Sequence, residues 1–325
     1  MTDPAPRLQP IPQPEPKSRR LFLEALGVMG AGSLMTTLPV ESARGFMAND
    51  TLEVACIGTG GRCRALMKSL AQVPGVRIAA VCDIYDVHLD EARKLADPGA
   101  ITSKQYKEIL DRKGIDAVLI ASPDHWHVPM TVDACSAGKD VYVEKPLTHN
   151  IEEGAAVIDA QNANRRIVQV GTQQRSMTHC LKAKELIDQG RIGKVFKTHL
   201  TWNRNTGERT KRSPLGIDPK QVDWKAFLGN APDQPFDEYR FRNWRWFWDF
   251  GGGLLTDLMV HWVDVVHWFL EVDHPERATT IGNHVAAEGV WQTPDTIQCL
   301  LSYQDNLQVY FEGTFSNARN GAMAE

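Results

Sequence analysis

The chain has 325 residues, 42% of them apolar and 23% charged, with a formal net charge of −4 at pH 7. That is enough for two ordinary globular domains, and the acid excess gives no draw toward nucleic acid or anionic lipid. No internal apolar run is long enough to span a bilayer.

Residues 1–17 carry six prolines and few apolar side chains, a composition that cannot form a packed core. Ser18-Arg19-Arg20-Leu21-Phe22-Leu23 comes next, followed by a weakly apolar, small-residue stretch from Ala25 to about Leu38. Paired arginines ahead of such a stretch resemble a twin-arginine export signal, although Glu24 stands where that pattern often has Lys. The competing reading is an amphipathic surface helix, which Gly27, Gly30 and Gly32 disfavour. Val40-Glu41-Ser42 offers a small residue for cleavage but no clean A-x-A motif. Residues 1–50 are therefore expected to be a leader that engages the twin-arginine export machinery. The folded protein is expected in the periplasm, with the signal either cleaved or kept as an anchor. Folding before export also suits the six scattered cysteines, which form no C-x-x-C pair; Cys56 and Cys82, in strand-like apolar runs, are expected as buried free thiols.

A nucleotide domain is expected over residues 51–172. Leu52–Ile57 reads as a buried parallel strand that runs into Gly58-Thr59-Gly60-Gly61-Arg62-Cys63 and a helix through Leu70. A second strand, Val76 to Cys82, ends at Asp83. Strand, glycine turn, helix, strand, acid is the order of a dinucleotide site. Gly58 permits the tight turn, Gly60 lets the backbone approach a pyrophosphate, and the helix N-terminus offers free N–H groups. Thr59, Gly61 and Arg62 are further candidates for contact with the cofactor. Cys63 replaces the third glycine and is small enough for helix–strand packing. The carboxylate of Asp83 suits ribose hydroxyls and repels a 2′-phosphate, which favours NAD over NADP.

Further alternation follows: a helix over Tyr106–Arg112, a strand over Ala117–Ala121, a helix to Ala137, a strand over Asp140–Val143, a helix over Ile151–Asn162 and a strand over Ile167–Val170. Loops at the carboxyl ends of such strands form the ligand crevice. The Ser122–His127 loop, Lys145 and Gln173 are thus expected to face one cleft, with Ser122, Pro123, His125 and Glu144 near the cofactor.

Glu144-Lys145-Pro146 at a strand end resembles the glucose–fructose oxidoreductase / inositol dehydrogenase (Gfo/Idh/MocA) family. Ser122-Pro123-Asp124-His125-Trp126-His127, Gly171-Thr172-Gln173-Gln174-Arg175, Val222-Asp223-Trp224 and the run from Gly251 to His261 extend the likeness over roughly residues 51 to 325. The resemblance implies a Rossmann doubly wound parallel sheet followed by a C-terminal, open, mainly antiparallel sheet domain, here residues 173–325. It also implies a catalytic set of Lys145, Asp257 and His261. Asp257 and His261 are four apart and share a helix face. His261 would take the hydroxyl proton, Asp257 would orient the sugar or the imidazole, and Lys145 would donate to the reacting oxygen. Gly251–Gly253 are expected to let this helix start close to the substrate. The proline after Lys145 admits a cis bond. Gln173, Arg175 and Arg245 are candidate substrate contacts. Asp257, His261 and Asp264 have metal-like spacing but no fourth ligand at familiar distance, so no metal is expected.

In the second half, Lys194–Trp202 alternates as a strand, and Thr296–Tyr303 with Leu307–Gly313 reads as a hairpin. Relatives in the family run on past this point, so a C-terminal truncation is expected at Glu325. An open sheet face needs covering, and the resemblance implies that another subunit covers it, so a homo-oligomer is expected. The implied activity is NAD(P)-dependent oxidation of a secondary hydroxyl of a sugar or polyol. Two alternatives stay open. One is a glycoside hydrolase or lyase that uses tightly held NAD transiently, through oxidation, elimination and reduction. The other is a non-catalytic sugar or nucleotide sensor.

Overall fold

A computed structural model describes residues 51–205 and 210–316. The leader with its twin-arginine-like segment, and Asn317 to Glu325, lie outside the described residues. Short apolar runs in the first half form β1 (Leu52–Ile57), β2 (Val76–Cys82), β3 (Ile101–Ser103), β4 (Ala117–Ile120), β5 (Asp140–Val143) and β6 (Val168–Val170). They pair in parallel in the order β3-β2-β1-β4-β5-β6. β4 and β5 are buried along their whole length, because helices cover both faces of a parallel sheet. The strand order reverses between β1 and β4, so a crevice opens at their carboxyl ends.

In this half two elements escape the sequence pattern. β3 has three residues, too few for a period to register, and the helix Asp86–Arg93 carries only Ala92 buried. Helix ends also shift: the expected Tyr106–Arg112 helix stops at Leu110, and the one expected from Ile151 opens with a 3-10 turn before its α-helix, Gly154–Asn164.

The second half forms β7 (Lys197–Asn203), β8 (Arg277–Asn283), β9 (Thr296–Ser302) and β10 (Gln308–Thr314), ordered β7-β10-β9-β8. β10 and β8 run antiparallel to β9, while β7 joins β10 in parallel. Alternation sends Ile297, Cys299 and Leu301 of β9 and Val309 and Phe311 of β10 inward. There they meet Phe250, Leu254, Leu258 and Val266 from the segment that carries the expected catalytic helix. The opposite face is bare: every residue of β8 is exposed, and so is Leu300. The two halves are stitched by an antiparallel bridge between Tyr85 and Val222, where Asp223 N–H donates to the Ile84 carbonyl at 2.9 Å.

Gly58 marks where close approach matters most. Its φ is 74°, and a Cβ there would fall 2.6 Å from Ser122 N of the neighbouring strand end. A left-handed backbone costs an L-residue about 1–2 kcal/mol, and the clash adds to this. Gly58→Ala should therefore lower the melting temperature by several degrees. Calorimetry checks this, and an unchanged Tm contradicts it.

Candidate active site

The crevice at the switch point is continuous with the face of the second half and encloses about 1050 Å³. Gly58, Gly60, Gly61, Asp83, Ser122 and Pro123 line its first end; Lys145, Gln173, Arg245, Asp257 and His261 line the other. The glycine turn opens the helix Gly61–Leu70, whose first N–H groups have no intrahelical partner. Asp83 accepts from Tyr85 N–H at 2.9 Å and from the Thr59 hydroxyl at 3.3 Å. Its carboxylate is thereby pinned at the strand end. The first end fits a dinucleotide. A Cβ at Gly61 would meet nothing within 4 Å, and Ser122 Oγ is buried on the wall without a hydrogen-bond partner among the described residues.

Lys145 leaves the end of β5 through a cis Lys145–Pro146 bond. Its ammonium donates to the Asp257 carbonyl at 2.7 Å and to Asp257 Oδ1 at 3.0 Å. Asp257 lies in a π-helical turn, Leu255–Met259, which leads into the α-helix Val260–Leu270; such widened turns recur at functional sites. Arg245 Nε donates to the same Oδ1 at 3.1 Å, and its guanidinium lies 4.1 Å from the Trp244 ring centre. Burial pushes the Asp257 carboxyl up, but the charges and hydrogen bonds of Lys145 and Arg245 outweigh it and hold the group well below the usual carboxylate range. His261 is buried and stacks on Trp202, with ring centres 5.5 Å apart. Burial, joined by the Lys145 charge, drops its imidazole to about 3.

Several expected contacts go elsewhere. Thr59 is fully buried and serves Asp83 rather than the cleft. Arg62 lines the cleft beside the glycine turn, with its Nε donating to Glu144 at 2.8 Å and its Nη2 to Gln173 Oε1 at 2.7 Å, so Glu144 braces this wall through Arg62. His125 points into the second half, against Phe227 and Phe250, with Nε2 2.8 Å from the Phe227 carbonyl. Arg175 is exposed and forks onto Asp264 at 2.8–3.0 Å, away from the cleft. Asp257 turns to Lys145 and Arg245 rather than to the imidazole. Gly252 and Gly253 approach Thr256 and Thr293 instead of the cleft.

Four further residues matter that the sequence reading did not assign. Asp124, inside a motif already singled out, is buried beside this network; burial raises its carboxyl to about 8, against the pull of Lys145 and Arg245. His127 spans the Pro146 carbonyl at 2.6 Å and the Ser122 carbonyl at 2.9 Å, tying the two strand-end turns together. Trp202 and Arg204 both line the cleft, and Arg204 lies 4.9 Å over the Trp202 ring. Their spacing of two along β7 and its continuation was a legible signal for one shared face.

A sequence model of the oxidoreductase family with an NAD-binding Rossmann fold matches residues 52–172, and the GFO/IDH/MocA C-terminal domain matches residues 180–324. A glycosyl hydrolase family 109 protein from Shewanella pealeana is 27% identical over 233 residues, 65% of this chain and 50% of its own length. The chain thus spans about half the length of the curated relatives it matches. The WlbA dehydrogenase from Bordetella pertussis, solved with NADH and UDP-GlcNAcA, aligns with a TM-score of 0.68 at 18% identity, covering 85% of this chain and 70% of that one. Myo-inositol 2-dehydrogenase from Lactobacillus plantarum aligns with a TM-score of 0.64 at 23% identity, covering 81% and 70%.

The buried groups fix a pH dependence of stability. Burial lowers His125 to about 4 and His261 to about 3, so in the folded state both resist protonation. The unfolded chain protonates them near pH ~6.5, and their contribution is therefore whole above that pH and is lost as pH falls below it. Asp124 works in the opposite sense: raised to about 8, it loses stability as pH rises from its ordinary range toward that value. Burial lowers His127 and His267 as well, so the histidines outweigh the one raised carboxyl between pH ~4 and ~6.5. Tm should climb from pH 4.5 to 6.5 and then, where only Asp124 still acts, fall toward pH 8. A Tm that is flat over the lower window contradicts this assignment.

Proposed function

The chain belongs to the Gfo/Idh/MocA oxidoreductase family, and from that membership we propose that it oxidises a secondary hydroxyl of a sugar or polyol. The observation that carries this reading is one cleft shared by the glycine turn, Lys145, Asp257 and His261. Gly58, Gly60, Gly61, Asp83, Ser122 and Pro123 would hold the dinucleotide, which when bound supplies the hydride acceptor. The pinned carboxylate of Asp83 favours NAD over NADP, because a 2′-phosphate would meet it with like charge.

The chain's own groups manage the proton and the developing charge. His261, unprotonated because burial holds it low, is free to receive the proton of the reacting hydroxyl, and the Asp257 charge, which pulls the imidazole back up, favours that transfer. The Lys145 ammonium donates to that oxygen and stabilises its negative charge. Asp257 aims the ammonium through the bond at 3.0 Å. Gln173, held by Arg62, presents its amide to substrate hydroxyls.

A second reading draws support from the relatives named glycosyl hydrolase family 109 proteins. In it tightly held NAD would take a hydride from the sugar and later return it, while the same side chains would move the protons of the intervening elimination, which releases the aglycone, and of the addition of water across the double bond. Turnover of aryl glycosides without added NAD favours that reading; NADH accumulation with free sugars favours the first.

The leader is proposed to carry the folded protein, with its nucleotide, through the twin-arginine pathway to the periplasm. The support is the paired Arg19-Arg20 ahead of the weakly apolar segment. Replacement of both by Lys should trap the protein in the cytoplasm. The bare face of the second sheet, with Ile281 61% and Leu300 47% exposed, supports a homo-oligomer. Sedimentation of a monomer at micromolar concentration counts against it.

Lys145→Met should lower kcat by roughly 10²–10³, the usual loss when one donor to a developing oxyanion is removed. Mass spectrometry of nucleotide released on denaturation should still find the cofactor. Full turnover in this variant contradicts the role given to Lys145.

A further inference from the structure

Asp124–Trp126 form one 3-10 turn after β4, and His127 opens the helix that follows. This turn grips the chain beside both members of the Lys145–Asp257 pair. On one side, a ring nitrogen of His127 lies 2.6 Å from the carbonyl of Pro146, the residue after Lys145. On the other, Asp124 meets Thr256, the residue before Asp257. The Thr256 oxygen accepts from Gly252 N–H at 3.0 Å, which leaves the hydroxyl proton for the Asp124 carboxyl. Between these grips, His125 Nε2 and Trp126 Nε1 converge on the Phe227 carbonyl of the second half, at 2.8 and 2.9 Å.

The turn is packed tightly against that half. A Cβ at Gly251 would fall 3.3 Å from Asp124 Oδ2, and one at Gly229 would fall 2.4 Å from the Trp126 ring. Glycine at both places lets the second half close on the turn. Asp124 itself is buried and does not line the cleft. Lys145, Arg245 and Asp257 all act on it, yet burial raises its carboxyl to about 8. At neutral pH it therefore spans the gap as an uncharged hydrogen-bonding group and leaves both cations to Asp257. Side chains locked by packing in this way hold a reacting group in its working geometry.

We propose that the Asp124–His127 turn sets the geometry of the reacting pair, with Asp124 as a positioning residue that acts through Thr256 on the place where Asp257 meets the Lys145 ammonium. The inference rests on the proposed reaction for the use of that ammonium, and it gives a task to a motif that reaches neither sugar nor nucleotide through Asp124.

The test uses the full chain with NAD bound. Crystal structures of the unmodified protein, Asp124→Asn, Asp124→Ala and Thr256→Val read the Lys145–Asp257 contact directly. The contact should hold in Asp124→Asn, whose amide has the size and the hydrogen bonding of a neutral carboxyl. It should open past ~3.5 Å in Asp124→Ala and in Thr256→Val, so the outcome does not hang on one variant folding. NADH fluorescence should give affinities within about threefold throughout, because the nucleotide end of the cleft is left as it was. Turnover is read as NADH formation with myo-inositol, glucose, galactose and xylose. With any of these that reacts, kcat should fall roughly tenfold to a hundredfold in Asp124→Ala at nearly constant KM, and Asp124→Asn should restore most of it. The double variant Asp124→Ala/Thr256→Val should lose no more kcat than the worse single one, since both cut the same link. A Lys145–Asp257 contact that stays closed in both Asp124→Ala and Thr256→Val overturns the proposal. So do additive losses, an Asp124→Asn variant as impaired as Asp124→Ala, or NADH binding abolished by Asp124→Ala. An opened contact in a protein that oxidises none of the sugars sustains the positioning role and counts against the reaction. Oxidation that proceeds undiminished in Asp124→Ala does the reverse.

Discussion

The pairing of Lys145 with Asp257 is the contact on which the rest of the site depends. Lys145 comes from the end of a parallel strand in the first half, and Asp257 from a π turn packed on the second sheet. Both are mostly withdrawn from water, with side-chain exposures of 11% and 19%. Removing two charges from water is costly, and only good geometry offsets it; losing either partner strands the other. The ammonium has two oxygens of one residue to donate to, and Arg245 adds a second cation to the same carboxylate. The two halves must therefore be docked before either charge has a suitable environment. The bridge at Tyr85 and Val222 holds them in that relation.

Around this pair, similar groups are driven to different protonation states by where they sit. Asp257, between two cations, stays ionised, while Asp124, buried a short way behind, is raised to about 8. His261 is held neutral by burial and by nearby positive charge. Separating the titrations of like groups is how a fold obtains acid, base and fixed charge from a small set of side chains.

Much of this was legible in the chain itself. Hydrophobic runs of strand length, the turn at Gly58, the acid at Asp83 and the Glu144-Lys145-Pro146 strand end lead to a Rossmann sheet with its crevice. The hairpin formed by β9 and β10 shows in its alternation. Lys145, Asp257 and His261 were named from their motifs, and all three line one cleft. The misplacements have a common character. Arg175, His125, Thr59 and Glu144 stand in or beside the right turns but point the other way. A motif tells which loop lies at a strand end, whereas side-chain direction depends on what packs against that loop from far along the chain. Arg175 finds Asp264, 89 residues on, and His125 finds Phe227, 102 residues on.

The amino-acid sequence by itself determined the architecture of the nucleotide-binding half, the glycine crevice and which side chains are candidates for the chemistry. These follow from local periodicity, backbone permission at glycine and short-range spacing. Only the tertiary structure decided that Asp257 serves Lys145 instead of His261, that Asp124 is a buried neutral acid, and that Trp202 and Arg204 join the wall. Those outcomes depend on burial and on Coulomb interactions between groups more than a hundred residues apart, which fall with distance in space and are blind to distance along the chain.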